Sequence, residues 1–130
     1  MLQSIAMTTV VVRDYDEAIA YYTQQLGLVL LEDTDRGCGK RWVRVAAPGT
    51  TSLCLLLAQA STPGQTARIG DQTGGRVSLF LHTDDFDADY AAMKSRGVTF
   101  CGPPRAEDYG KVVVFEDIYG NRWDLLELAR

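Results

Sequence analysis

The sequence predicts an α+β fold built from two β-α-β-β-β modules. The first observation behind this is a repeat: Asp14-Tyr15-Asp16 is echoed by Asp85-Phe86-Asp87, and Pro48-Gly49 by Tyr119-Gly120, both at a separation of 71 residues. The second is that each Asp motif lies between a β-branched or apolar run and an amphipathic stretch ending in glycine. The third is that three short strand-like segments follow each of those glycines. The 130 residues then form a single domain, with module one at 1–57, a linker at 58–75 and module two at 76–130.

The elements follow in order. Thr8 to Val12 is β-branched and reads as the first strand. Asp14 is a good N-cap with Glu17 three residues on, a capping box, and Tyr15, Ile19 and Tyr22 then recur on one helix face, extended by Leu26. Gly27 suits the left-handed position that closes a helix. Leu28 to Glu32, Arg41 to Ala46 and Leu53 to Leu57 are the remaining strands of module one. Ala58 to Gly75 is polar and rich in Gly, Thr and Gln, as a surface linker would be. Module two repeats the scheme with Val77 to Thr83, a helix capped by Asp85, carrying Phe86, Tyr90 and Met93 and closed by Gly97, and strands at Val98 to Cys101, Lys111 to Glu116 and Trp123 to Leu128. Tyr15, Tyr22, Phe86, Tyr90 and Met93 are core by their spacing and are assigned no chemistry.

Composition narrows the function. An apolar share of 46% with 23% charged residues is that of a globular chain able to bury a core without disulfides. Thirteen Lys and Arg against seventeen Asp and Glu leave a net charge of −4, and the densest basic stretch, Arg36 to Arg44, is broken by glycines, so no nucleic-acid partner is expected. No apolar run approaches the roughly 18 residues of a membrane helix, and the first residues lack a signal peptide's basic and apolar regions. No membrane partner is expected, and the location expected is cytoplasmic. Cys38, Cys54 and Cys101 are odd in number and lack CxxC spacing, which argues against a disulfide framework and a zinc ribbon. Gly37-Cys38-Gly39 reads as a turn, and no dinucleotide fingerprint or nucleophile elbow is present.

Strand alternation separates two faces. Thr8, Val10 and Val12 face the helix, leaving Met7, Thr9, Val11 and Arg13 opposite; Leu79, Leu81 and Thr83 face the second helix, leaving Ser78, Phe80 and His82 opposite. A half-buried sheet face mixing polar and apolar groups suits a small-molecule cleft.

The two units resemble the vicinal oxygen chelate superfamily, which includes glyoxalase I, bleomycin-resistance proteins and extradiol dioxygenases. Val12-Arg13-Asp14 followed by Ala18 and Tyr21-Tyr22 is similar to the family's V-x-D…A…F-Y, and Leu26-Gly27 follows. The tail Asp117-Ile118-Tyr119-Gly120-Asn121-Arg122-Trp123-Asp124-Leu125 is similar to D-P-D-G-N-x-x-E-L, with Ile118-Tyr119 in place of Pro-Asp and Asp124 in place of Glu. The resemblance covers nearly the whole chain. It implies a curled mixed sheet around a concave cleft with the helices on the outer face. It also implies, in metal-dependent members, ligands from the first and last strands of each unit. Those positions fall on Met7, Cys54, Ser78 and Asp124, the register of Cys54 being open by one residue. A thioether is a poor ligand for hard cations and one ordinary oxygen ligand remains, so no cofactor is expected and a divalent metal is disfavoured.

Individual residues carry paired readings. His82, the sole histidine, is a ligand-facing acid or base, or a strand-end imidazole bonded to backbone or to Asp84 and Asp85. Cys54 is a small hydrophobe in an apolar run, or a reactive thiol. Asp124, set between Trp123 and Leu125, needs a partner from Arg13, Arg41, Arg44 or Arg122, or else anchors a cationic or hydroxylated ligand. Trp42 and Arg44 lie on one side of a strand, where they stack a planar ligand or cover a sheet edge. Tyr109 follows the Gly102-Pro103-Pro104-Arg105 loop, a lid or a stiff turn. Together these indicate a metal-free small-molecule-binding protein whose ligand contacts are Met7, Thr9, Trp42, Arg44, Cys54, Ser78, Phe80, His82, Tyr109 and Asp124. The competing reading is a divergent lyase or dioxygenase, using a non-standard metal site or His82 and Asp124 in acid–base catalysis. Exposed sheet edges and the family resemblance together imply a homodimer.

Overall fold

A computed structural model describes residues 1–49 and 53–130. The chain divides into two compact units, Met1–Ile69 and Gly70–Arg130, each with its own mixed sheet. Among the described residues no helix is long and apolar enough to cross a membrane.

In the first unit β1 (Met7–Val12), β2 (Val29–Gly37), β3 (Lys40–Ala46) and β4 (Cys54–Gln59) form a sheet in the order β1-β4-β3-β2, with β1 parallel to β4 and the other pairs antiparallel. Helix α1 (Tyr15–Ala20) begins where the Asp14 carboxylate accepts a hydrogen bond from the Glu17 amide at 2.8 Å. The sequence predicts an unbroken helix to Gly27. Instead the last turns widen into a π-helix over Tyr21–Gln25, closed by the Leu26 amide donating to the Tyr21 carbonyl. The wide turn brings both Tyr21 and Tyr22 into the core, their rings edge to face at 5.2 Å. Gly27 then takes a left-handed φ of 87°, as its position predicts. Val10, Val12, Ala18, Tyr22, Val43, Val45 and Leu57 make the core between helix and sheet.

Two strands run past their predicted ends. Strand β2 continues beyond Glu32 to Gly37 because its acidic residues find partners: Asp33 takes two hydrogen bonds from Arg41 across the hairpin, at 3.1 and 2.7 Å. Arg41 also reaches Asp16 on α1 at 2.9 Å and lies over the Tyr15 ring, tying strand to helix. Strand β4 extends to Gln59, and the span read as linker holds a short helix, α2 (Pro63–Thr66), capped by Thr62.

In the second unit β5 (Leu79–His82), β9 (Arg122–Leu128), β8 (Gly110–Glu116) and β6 (Thr99–Phe100) lie in that order, with β5 parallel to β9. Helix α3 (Phe86–Ser95) is capped by Asp85, and its first amide donates to Glu127 on β9 at 2.7 Å. The ring contacts Phe86–Tyr90–Phe100–Phe115–Trp123 run through this unit's core. A fifth strand, β7 (Arg105–Glu107), which the sequence reading does not include, pairs with β8; Gly102, Pro103 and Pro104 precede it outside any strand. All three of its residues are exposed, so no apolar alternation marks it in the sequence.

The β8–β9 turn is built on Asp117, which is buried. Its carboxylate accepts hydrogen bonds from the amides of Tyr119 and Asn121, from the Asn121 side chain and from the Trp123 indole, all at 3.0–3.1 Å. The D-x-x-G-N pattern of the tail is therefore a folding device: one carboxylate satisfies the donors of the turn and anchors the core tryptophan.

Candidate functional site

On the face of the first sheet away from α1, strand register sets Thr9, Leu56, Arg44 and Glu32 in a row, with Met7 beside Cys54 in the next. Trp42 shares this face by alternation. Arg44 donates to Glu32 at 2.9 Å and to the Cys54 sulfur at 3.7 Å, and Thr34 donates to Glu32 at 2.9 Å. The hydrogen bond from Arg44, then that from Thr34, hold Glu32 below the usual carboxylate range. Arg44 does not stack on Trp42; the guanidinium over that ring, at 5.9 Å, is Arg36. On this face the Glu32 carboxylate is thus matched by Arg44.

The second unit is different. Its face away from α3 carries Phe80, Asp124 and Val114 in one row and His82, Leu126, Val112 and Arg105 in the next. Phe80 is 60% exposed. None of the four arginines proposed as a partner for Asp124 reaches it: Arg13 pairs with Glu17, Arg41 with Asp33 and Asp16, Arg44 with Glu32, and Arg122 lies 4.0 Å from Glu116. One carboxylate oxygen of Asp124, Oδ1, is buried with no hydrogen-bond partner among the described residues. Burial pushes the Asp124 pKa up, opposed only by the field of Arg105.

His82 is exposed on the same face, and neither Asp84 nor Asp85 is bonded to it: Asp85 serves as the helix cap. Ser78 donates its hydroxyl to the Arg122 carbonyl at 3.2 Å. Tyr109 stands apart, in the β7–β8 turn near Leu128, where its carbonyl accepts from Ala129. The hollow at the β2–β3 tip, lined by Asp33, Asp35, Cys38 and Arg41, contains none of the predicted contacts, and its acids are engaged by Arg41 and the Gly37 amide.

Residues 4–125 match the family model of the Glyoxalase/Bleomycin resistance protein/Dioxygenase superfamily. The chain belongs to this superfamily. It is 54% identical to an uncharacterized protein of Shewanella frigidimarina over 98% of this chain and 96% of that one. Among solved structures it is similar to UcmS2, with a TM-score of 0.84 and 29% identity over 97% of this chain and 98% of that one. It is also similar to TnmS3, an antibiotic binding protein from Streptomyces sp. CB03234, with a TM-score of 0.77 and 30% identity over 98% of each chain.

Metal-dependent members of the superfamily hold a divalent metal with residues of the first and last strands of each unit, and the residues at those places here do not fit one. Met7 and Ser78 occupy equivalent places in the repeat; Met7 pairs with Cys54 and Thr9 with Leu56, whereas Phe80, the counterpart of Thr9, pairs with Asp124. The residue of the first unit that matches Asp124 is therefore Leu56, two residues beyond Cys54, and it offers no ligating atom. Cys54 itself faces the Arg44 guanidinium, and the Ser78 hydroxyl is spent on a carbonyl. Among the described residues no three His, Cys, Asp or Glu side chains gather where they could hold a metal ion.

Proposed function

We propose that this chain is a small-molecule-binding protein of the glyoxalase/bleomycin-resistance type that works without a metal ion, its ligand lying against the Phe80–Asp124 face of the second unit. The observation that carries this reading is the donor set: methionine, leucine and serine stand at the positions where metal-dependent relatives need ligands, while an exposed aromatic and an unmatched carboxylate remain. The antibiotic-binding role stated for TnmS3 supports a ligand of natural-product size. A thermal-shift screen of antibiotics and aromatic natural products, run in EDTA, tests it. A ligand at about a hundred times its Kd adds about 2.7 kcal/mol of stability, a rise of several degrees in Tm. Absence of any stabilising compound in such a screen would contradict the reading.

The enzymatic alternative is favoured by one feature, the placement of His82 diagonally across from Asp124 on neighbouring strands of one face. If turnover of a screened ligand were lost in His82→Ala with binding intact, catalysis would replace simple binding as the conclusion. A second copy of the chain is the partner this reading includes, because the edge strand β2 leaves Val29, Leu30 and Leu31 each 40–46% exposed. Light scattering at twice the chain mass is the expected result, and a monomer at every concentration would contradict it.

A further inference from the structure

We infer that the ligand is a cation: a protonated amine whose N–H groups are received by Asp124 and whose apolar body rests on Phe80. The inference builds on the ligand-binding role proposed above and specifies the chemistry of that site. The sheet brings the two residues into register on adjacent strands, so a molecule lying on the exposed Phe80 ring has its polar end beside the carboxylate. Asp124 is only half-buried as a residue, yet its Oδ1 is enclosed without a donor. A carboxylate oxygen in that state bears a desolvation penalty that a charge-assisted hydrogen bond removes. A half turn of the carboxylate only exchanges its two oxygens, so a ligand on this face meets Oδ2, the oxygen left accessible, and a charge-assisted hydrogen bond there offsets the cost of holding the whole carboxylate ionised.

The neighbouring groups leave that role open. On β5 the exposed His82 shares the face; on β8 Glu116 is matched by Arg122; on β7 Arg105 is 3.7 Å from Glu107 and reaches Asp124 only through its field. A neutral ligand covering Asp124 would strip water from a carboxylate already short of donors, and an anion would add repulsion. An ammonium group does neither, and an aromatic ring beside it adds cation–π attraction.

The test uses three indoles of matched shape, tryptamine, tryptophol and indole-3-propionate, titrated into 15N-labelled full-length protein. Tryptamine is expected to shift the amide signals of Phe80, Asp124 and Val114 and to bind about tenfold or more tighter than the other two. Asp124→Asn, close in shape to the parent, should abolish that preference; Phe80→Ala, at an exposed position, should weaken all three probes. The preference in the parent protein is itself a test that needs no variant. Equal binding of the three probes, a preference that survives Asp124→Asn, or no shift at these residues with any probe would overturn the inference. A thermal-shift hit that binds Asp124→Asn as tightly as the parent would leave small-molecule binding standing and remove only the cation. A screen without hits would remove both.

Discussion

Asp117 and Asp124 stand on the same stretch of chain and meet opposite fates. Asp117 is buried with four donors directed at it; Asp124 carries an oxygen with none. Removing the first, as Asp117→Ala, orphans two amides, an amide side chain and an indole at once, and should lower stability by about 3 kcal/mol or more, read from urea unfolding. Removing the charge of the second has the opposite sign. Because burial raises the folded pKa of Asp124 above the ordinary 3.8, its ionised form costs stability that is fully regained only below the unfolded pKa. Asp124→Asn should therefore gain stability at pH 7, and the gain should shrink as pH falls toward 4. A gain independent of pH would contradict a desolvated carboxylate. The sequence made Asp124 legible as a residue in need of a partner, since a carboxylate among Trp and Leu on a strand demands one. It left the partner open, because which arginine reaches where depends on contacts between strands distant in sequence. Those contacts turned out to employ every candidate arginine elsewhere.

Helices and caps were the most legible elements: Asp14, Asp85, Gly27 and Gly97 mark their ends by local chemistry alone. Strand register was less so. The connections differ in length between the copies, so the offset of 71 that relates Met7 to Ser78 falls to 70 between Arg44 and Val114 and to 68 between Leu56 and Asp124, and the place read for Cys54 belongs to Leu56. Strand β7 was hidden because its exposed Arg105-Ala106-Glu107 has no apolar side to alternate. The π-helical turn was hidden too, since the apolar spacing of Tyr22 and Leu26 fits a regular helix as well. The β7–β8 hairpin offers a test at this scale. Gly110 has a φ of 147°, and a Cβ there would lie 2.0 Å from the Glu127 carbonyl oxygen, a backbone atom of a paired strand. Gly110→Ala should then cost about 2–4 kcal/mol and separate β8 from the end of β9, visible as lost amide protection at Gly110 and Ala129. Protection equal to the parent's would mean the hairpin is less closely packed than described.

Across the whole molecule, duplication kept the topology and divided the chemistry. Both sheets set their first strand parallel to their last, with the helix on one face. The first unit then matched the acid of its other face, Glu32, with Arg44, while the second kept an acid without a matching base. The net charge of −4 acts in the same direction, drawing cations toward the protein over a distance of about 10 Å at 0.1 M salt. Association of an amine ligand should therefore slow as salt is added, which stopped-flow fluorescence would read, whereas a neutral ligand's rate should not change. Whether the protein binds its ligand unaided by a metal is decided most directly by calorimetry. The strongest thermal-shift hit is titrated into protein dialysed against EDTA, then again with manganese, zinc or nickel restored. Unchanged affinity and one ligand per chain in every case is the predicted result; binding that appears only once a divalent metal is returned would contradict it.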